Sequence, residues 1–244
     1  MSKENLVHIQ NISIAFGGVK AVQNVSFDIK RGEILGLIGP NGSGKSTCVN
    51  IISGVCRADN GEIIFDGTKL TDRMTVATRS KMGIGRTFQS PKPFANLTVY
   101  ENVFVAALVK HSKKEAEEKA RHILELTGLA PFANMSSSKL SIEKRKWLDL
   151  GRVICNDPKL LMMDEVMAGL NPKEMEDSLE LVRKINRSGI TILFIEHVMK
   201  AVTSICHKTI VLNEGELLCQ GEPTEVLKRQ DVVEAYIGRS SNPC

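Results

Sequence analysis

Residues 39–46 of the chain, GPNGSGKS, match the pattern G-x-x-x-x-G-K-[S/T] and constrain the fold more than any other segment. Glycines let several backbone N–H groups point into one concavity, and a helix that starts at the end of the loop adds a positive dipole end. In such a loop Lys45 reaches the β- and γ-phosphates of a nucleotide, and the Ser46 hydroxyl binds Mg²⁺. An apolar run at 33–38 precedes the segment and a helical stretch follows it, so the sequence predicts a phosphate-binding loop between a buried strand and a helix. The residues assigned to this loop are Gly39, Pro40, Asn41, Gly42, Ser43, Gly44, Lys45, Ser46 and Thr47.

An acid pair ends the apolar run at 159–163, KLLMM. Asp164, at the tip of a buried parallel strand, can hold Mg²⁺ beside the phosphate-binding loop. Glu165 can polarise a water for in-line attack on the γ-phosphate. Many strands simply end in solvated acids, but in a chain that also carries the phosphate-binding loop the pair predicts a metal ligand and a general base.

Two further strand ends carry polar residues that suit the same site. His197 follows the run ITILFI at 190–195 and, from the edge of a sheet, can reach the γ-phosphate. Gln89 ends the run at 83–88 and can ligate Mg²⁺ or hold the attacking water. A structural histidine and a surface amide are the alternatives. The candidate catalytic residues are thus Glu165, His197, Gln89 and Lys45, and the candidate metal ligands are Ser46, Gln89 and Asp164.

Strand and helix patterns alternate along the chain, which predicts an α/β fold whose mostly parallel sheet carries the site at its carboxyl edge. The middle of the chain contains helical patterns and no strand pattern, so we expect a helical lobe inserted into the sheet domain. The expected organisation is one domain over 1–244, with a nucleotide-binding core at 1–90 and 157–221, the helical lobe at 91–156 and a helical tail at 222–244.

Composition narrows the classes of protein to which the chain can belong. Its 244 residues suit one large domain or a domain with an inserted lobe, and 42% hydrophobic with 25% charged residues excludes a disordered or collagen-like chain. A formal net charge of +4 is too mild to indicate nucleic-acid binding. Apolar runs fall far short of the ~18 residues of a membrane-spanning helix, and the first ten residues lack the apolar core of a signal peptide. Six cysteines without a C-x-x-C pair favour free thiols in a reducing compartment, so we expect a cytoplasmic chain.

The order of these motifs resembles the ATP-binding subunits of ABC transporters over nearly the whole chain. The resemblance identifies residues 39–46 as the Walker A loop, Gln89 as the Q-loop glutamine, Leu140-Ser141 as the start of the signature, Asp164-Glu165 as Walker B, 168–171 as the D-loop and His197 as the H-loop histidine. Four stretches look like the branched-chain amino-acid importer subgroup: RTFQ at 86–89, AGLNP at 168–172, EHVM at 196–199 and DVVEAYIG at 231–238.

What the resemblance implies is an ABC-type ATPase, a P-loop NTPase with an antiparallel β subdomain and a helical signature lobe, that uses ATP and Mg²⁺ to power solute import. Two ATP-binding subunits, as a homodimer or a heterodimer, would sandwich two ATP molecules, with Ser141 of one facing the γ-phosphate held by the other. Phe16 lies where the family places an aromatic that stacks on adenine, with a core aromatic as the alternative.

The implied assembly lies at a membrane. Two transmembrane permease subunits would contact the chain near 90–98, where Phe94 is expected to be exposed, and would place it peripherally on the inner face of the plasma membrane. An extracytoplasmic solute-binding protein would be an indirect partner, and nucleic acid would not be one. A turn-rich surface loop is the alternative for residues 90–98.

The signature departs from the usual family sequence, Leu-Ser-Gly-Gly-Gln, since it reads LSIEK from Leu140. Ile142 adds a branched side chain where the backbone must approach a phosphate, and Glu143 adds a carboxylate that repels a polyanion unless it turns away. Either this site hydrolyses ATP slowly, or the active dimer pairs the chain with a partner that has a better signature.

Other functions remain as alternatives. A soluble ABC ATPase that acts on DNA or ribosomes is disfavoured by the single P-loop, the absence of heptads and the mild charge. A degenerate module that holds ATP without turnover is suggested by the altered signature, although Lys45, Asp164, Glu165 and His197 are all present. Within the family, an exporter or a lipid-extracting system could use a similar subunit.

Overall fold

The computed structural model describes residues 4–88 and 91–237. Its strands are β1 (Asn5–Phe16), β2 (Val19–Lys30), β3 (Ile34–Ile38), β4 (Asn60–Phe65), β5 (Thr68–Lys69), β6 (Ile84–Arg86), β7 (Leu160–Asp164), β8 (Thr191–Ile195), β9 (Lys208–Asn213) and β10 (Glu216–Gly221). Its α-helices are α1 (Lys45–Ser53), α2 (Val76–Met82), α3 (Val99–Ala107), α4 (Lys113–Leu126), α5 (Ile142–Ile154), α6 (Pro172–Arg187), α7 (Met199–Ile205), α8 (Pro223–Val226) and α9 (Gln230–Ile237).

Two sheets organise these elements. The larger sheet has the strand order β10-β9-β3-β8-β7-β6, in which all neighbours from β9 to β6 run parallel and β10 joins its edge antiparallel. The smaller sheet, β2-β1-β4-β5, is antiparallel throughout. The predicted α/β fold with a mostly parallel core is therefore confirmed, and the order of strands places the end of β8 between the ends of β3 and β7.

The central strands are buried on both faces, as their unbroken apolar sequences predict. Alternate residues of β7 show the arrangement. Leu160 and Met162 pack with α1 and the antiparallel sheet, whereas Leu161 and Met163 pack with α6 and the helices that precede β7. The sheet is consequently the middle layer between two hydrophobic clusters.

Between residues 91 and 156 the described structure contains helices α3, α4 and α5 and the loops that join them, and its only β pairing is an isolated bridge between Thr98 and Ser136. Helices α3 and α4 begin with capping boxes formed by Thr98 with Glu101 and by Ser112 with Glu115, which satisfy the first free amides of each helix. Within the described residues no helix is long and apolar enough to cross a bilayer.

Helix α2 was not predicted from the sequence, because seven mostly polar residues carry too little periodicity to mark a helix. Tertiary contacts stabilise it. Buried Arg79 donates to the carbonyl oxygens of Ile51 and Ile52, at 2.6 and 3.0 Å, near the C-terminus of α1. Carbonyls at a helix end lack partners within the helix, so this arginine ties α2 to the helix that follows the phosphate-binding loop.

Candidate functional site

The loop at 39–44 joins β3 to α1 as the sequence predicts, and two of its glycines have conformations that need glycine. Gly44 is the N-cap of α1 with φ +100°, and an added Cβ would lie 2.5 Å from the carbonyl oxygen of Ala21. At Gly39 an added Cβ would lie 2.1 Å from the carbonyl oxygen of Leu212. Close approach of neighbouring backbone therefore fixes the loop in place.

The N-terminus of α1 suits an anion. Gly44 provides no side-chain cap and the first turn contains no acid, so no side chain of the cap or first turn competes for the free amides at this end. Helix amides of this kind bind phosphate oxygens with the help of the helix dipole. Ser43 is buried beneath the loop, whereas Asn41, Gly42 and Ser46 are exposed.

Lys45 is only 5% exposed, and its ammonium group folds back over the loop. Its Nζ donates to the carbonyl oxygens of Gly39 and Pro40, at 2.8 and 2.9 Å. Burial lowers the pKa of this ammonium, while the carboxylates of Glu165 and Asp164 act in the opposite direction. A positive charge held against the loop and facing two acids can neutralise the phosphates of a nucleotide.

Phe16 ends β1 at the hairpin that Gly17 and Gly18 turn into β2. Its side chain is 52% exposed, so it is not the core aromatic that was the alternative. The same hairpin leads to Ala21, whose carbonyl oxygen lies against Gly44. An exposed ring on the strand pair that contacts the phosphate-binding loop is free to stack on a base.

The carboxylate of Asp164, at the end of β7, is held by an arginine that sequence reasoning did not assign. Nη2 of Arg86 lies 3.1 Å from Oδ2 of Asp164, and Nη1 of Arg86 donates to Oδ1 of Asn50 on α1 at 2.6 Å. A cation at the end of the short apolar strand β6, in a chain whose strand β7 ends in an acid pair, was the sequence signal for this pairing. Arg86 thereby links the Walker B strand to the helix of the phosphate-binding loop.

Asp164 and Ser46 line one cavity of about 660 Å³, together with Phe88 and Asp149. A hydroxyl and a carboxylate in one cavity are the oxygen donors that Mg²⁺ takes from a protein, which usually supplies one or two ligands beside water and phosphate oxygens. The two residues therefore fit the metal. The third predicted ligand, Gln89, lies outside the described residues.

Glu165 and His197 meet at the ends of neighbouring strands. Nε2 of His197 forms a hydrogen bond with Oε1 of Glu165. The backbone of Glu165 has φ +50°, an unusual conformation for a residue with a side chain, and its N–H donates to the carbonyl oxygen of Ile195 at 2.9 Å. Residues held in such conformations are concentrated at active sites. A carboxylate oriented by an imidazole can accept a proton from water.

Ser141 is the N-cap of α5, as predicted, and its hydroxyl accepts a hydrogen bond from the backbone N–H of Lys144 at 3.3 Å. Ile142 is 68% exposed at the tip of this helix. Glu143 is buried, and burial raises the pKa of its carboxyl group; the adjacent ammonium of Lys144 lowers that pKa, while Glu174 and Asp177 raise it further. The expected repulsion of a phosphate by Glu143 is therefore weakened, which leaves Ile142 as the larger change in this signature.

Comparisons with known proteins agree with this geometry. The sequence model of the ABC transporter family matches residues 22–168. The high-affinity branched-chain amino acid transport ATP-binding protein BraF from Pseudomonas aeruginosa is 34% identical, over 96% of this chain and 98% of its own length. The crystal structure of the ADP conformation of MJ1267, an ATP-binding cassette of an ABC transporter, superimposes with a TM-score of 0.89 at 32% identity, over 96% of this chain and 99% of that one. A dimeric post-hydrolysis structure of the cassette MJ0796 with ADP and Pi gives a TM-score of 0.78 at 27% identity, over 89% and 98% of the two chains.

Proposed function

The chain belongs to the ABC transporter family as an ATP-binding, ATP-hydrolysing subunit, and from this premise we propose that it powers the import of branched-chain or related amino acids. The observation that carries the proposed solute class is the 34% identity to the branched-chain amino acid transport protein BraF over 96% of the chain. The ATPase activity that powers import rests on the phosphate-binding loop, acid pair and histidine at one edge of a parallel sheet. Lys45, at the start of α1, and Glu165, directly after β7, both lie at that edge, where a γ-phosphate and its attacking water would meet.

We assign ATP to the loop at 39–47 and the exposed ring of Phe16. The free amides at the start of α1 bind phosphate oxygens, and Lys45 neutralises the charge of the β- and γ-phosphates. Adenine stacks on Phe16, which is exposed at the hairpin beside the loop. Ser46, Asp164 and Gln89 are the proposed protein ligands of Mg²⁺, which neutralises charge on the phosphate oxygens when it is bound.

We assign the hydrolytic step to Glu165. Its carboxylate accepts the proton of a water as that water attacks the γ-phosphorus and the bond to the β-phosphate oxygen breaks, so that ADP and inorganic phosphate leave. His197 holds Glu165 through the hydrogen bond between Nε2 and Oε1 and is proposed to contact the γ-phosphate as well. Gln89 is proposed to hold the attacking water.

A second ATP-binding subunit completes each site in this proposal. The tip of α5, with Ser141 at its N-cap, would face the γ-phosphate held by the partner, and closure on two ATP molecules would alternate with reopening after hydrolysis. The dimeric MJ0796 cassette supports such an arrangement, in which the second subunit is another copy of this chain or a related chain. The alternative function is a module that binds ATP and turns it over slowly, and exposed Ile142 is the observation that favours it.

We propose that permease subunits dock on the surface between the sheet core at 1–90 and 157–221 and the helical lobe at 91–156. Phe94 is 49% exposed, and the guanidinium of Arg152 on α5 lies 4.7 Å from its ring centroid. Phe88, also exposed, lines the cavity of Asp164 and Ser46, to which Arg86 and Arg152 also contribute. Ser90, the first residue of the predicted contact segment, lies outside the described residues. Recruitment by permeases would hold the chain at the cytoplasmic face of the membrane, with a solute-binding protein on the other side.

Uptake measurements test the transport function. A strain that lacks this gene should lose most high-affinity uptake of labelled leucine, isoleucine and valine, and the wild-type gene should restore it while the Lys45→Ala variant should not. Uptake of a sugar serves as the control, since it should not change. Normal branched-chain uptake in the deletion strain would assign the ATPase to another solute.

Replacing Ile142 by glycine should raise the ATPase rate of the purified protein by at least about threefold, because a glycine lets the backbone approach the phosphate more closely. Glu143→Gln is the matched control and should leave the rate within about twofold, because the side chain of Glu143 is buried and is not available to a phosphate in front of α5. Steady-state phosphate release measures both. An unchanged rate for Ile142→Gly would show that this signature functions as well without a glycine at position 142.

A further inference from the structure

The loop after Glu165 is held by side chains from two directions. From α5, Nζ of Lys146 donates to the carbonyl oxygens of Val166 and Ala168, at 3.0 and 2.5 Å. From the end of β8, Oε1 of Glu196 accepts a hydrogen bond from the backbone N–H of Met167 at 2.8 Å. Three consecutive residues of the loop are therefore fixed through their main-chain atoms.

Glu196 is removed from solvent at a cost in free energy, and Lys146 is half-buried. Glu196 is 1% exposed, and burial raises the pKa of its carboxyl group to about 7. Burial lowers the pKa of the Lys146 ammonium, which the carboxylates of Glu196 and Glu165 raise in turn. A buried ionisable group is stable only where its interactions offset the loss of hydration, and here those interactions are the hydrogen bonds to the loop and the electrostatic attraction between the two opposite charges.

The anchored atoms follow directly after a strained residue. Glu165 has φ +50°, and the first two anchored groups belong to the next two residues along the chain, Val166 and Met167. A left-handed conformation at a residue with a side chain persists only where the surrounding structure imposes it. Lys146 and Glu196 restrain the backbone of the residues that follow Glu165. The backbone of Glu165 itself is restrained by the hydrogen bond from its N–H to the carbonyl oxygen of Ile195.

The helix that carries Lys146 also carries the signature. Ser141 caps α5, and Trp147 of the same helix donates from Nε1 to Oγ of Ser178 on α6 at 3.1 Å. Because α6 begins directly after the loop, α5, the loop and α6 are joined by hydrogen bonds at two places. The end of α5 proposed to face the partner's nucleotide is thus connected to the residue proposed as this chain's own general base.

We propose that Lys146 and Glu196 are positioning residues for hydrolysis, which hold Glu165 in its reactive orientation by fixing the loop that follows it. The inference rests on the proposed function, since it assigns the proton transfer to Glu165. Through Lys146, a displacement of the signature helix would move this loop, so the two anchors also join the chain's own ATP site to the surface that serves its partner's site.

Paired substitutions test the inference. Lys146→Met and Glu196→Leu, which remove the donor and the acceptor but keep comparable volume, should each lower kcat for MgATP at least about tenfold while the Kd for ATP stays within about twofold. The conservative variants Lys146→Arg and Glu196→Gln, which retain a donor and an acceptor, should stay within about threefold of the wild-type kcat. Lys184→Met, at an exposed lysine of α6, is the matched control. Amide hydrogen exchange at 166–168 should rise only in Lys146→Met and Glu196→Leu.

Three outcomes count against the inference. Wild-type kcat in both Lys146→Met and Glu196→Leu would overturn it while leaving the proposed function intact. Parallel loss of kcat and ATP binding, with no recovery in the conservative variants, would assign both residues to the stability of the fold instead. A wild-type protein that binds MgATP but does not hydrolyse it would overturn the proposed function and this inference together.

Discussion

Replacing Lys45 by alanine should abolish ATP binding, with a loss of affinity of at least about a hundredfold. The ammonium is the nearest positive charge of the loop to the space in front of α1, and it also holds the carbonyl oxygens of Gly39 and Pro40. Its removal takes away both the charge partner of the phosphates and two hydrogen bonds that shape the loop. Titration calorimetry with MgATP measures the loss.

The matched control is Lys69→Ala, because Lys69 lies on β5, the edge strand of the antiparallel sheet, and pairs there with Glu62 of β4. This variant should bind MgATP as the wild type does. Thermal unfolding separates loss of binding from loss of fold, since Lys45→Ala should unfold in one cooperative transition. Unchanged affinity in a folded Lys45→Ala protein would contradict the assignment of residues 39–46 as the phosphate-binding loop. It would also contradict the placement of a nucleotide site at this edge of the sheet.

Replacing Glu165 by glutamine should leave ATP binding intact and slow hydrolysis at least about 10²-fold, because the amide cannot accept the proton of the attacking water. The amide oxygen can still accept a hydrogen bond from His197, so the geometry of the site is retained. Binding without turnover should also stabilise a nucleotide-bound dimer. Single-turnover phosphate release gives the rate, and size-exclusion chromatography with MgATP gives the dimer.

Asp164→Asn provides the contrast for this experiment. It should weaken the dependence of ATP binding on Mg²⁺, because it removes a carboxylate proposed to ligate the metal and currently paired with Arg86. Glu165→Gln should keep that dependence. Turnover near the wild-type rate in Glu165→Gln would move the general base to another residue.

Local sequence was sufficient to predict the positions of residues that lie at the end of a strand or at the start of a helix. The loop at 39–46 lies between β3 and α1, and Asp164 and His197 lie at strand ends, because apolar runs and strand-ending polar residues predict both the strands and their edge. Ser141 could also be predicted as the N-cap of α5, because capping depends on atoms only three residues apart in the sequence.

Long-range contacts were decisive elsewhere. In the sequence, Arg86 is one polar residue in a short apolar strand. Only the pairing of β6 with β7 in the tertiary structure brings its guanidinium to Asp164. From the sequence, Glu143 was expected to repel a phosphate. Only the tertiary structure shows that its side chain is buried near Glu174 and Asp177 of α6. Lys146 and Glu196 lie fifty residues apart in sequence, and their common target is a loop that neither adjoins along the chain.

The sequence by itself determined that a nucleotide site exists in this protein and which residues form its phosphate-binding loop and strand ends. A glycine-rich loop and an apolar strand can be recognised from residues that are adjacent in the sequence. Only the tertiary structure decided how the charges of that site are paired and which way its side chains face. Those choices depend on the order of strands in the sheet and on the packing of helices from distant parts of the chain, and pairwise contacts of that range leave no periodic trace in the sequence.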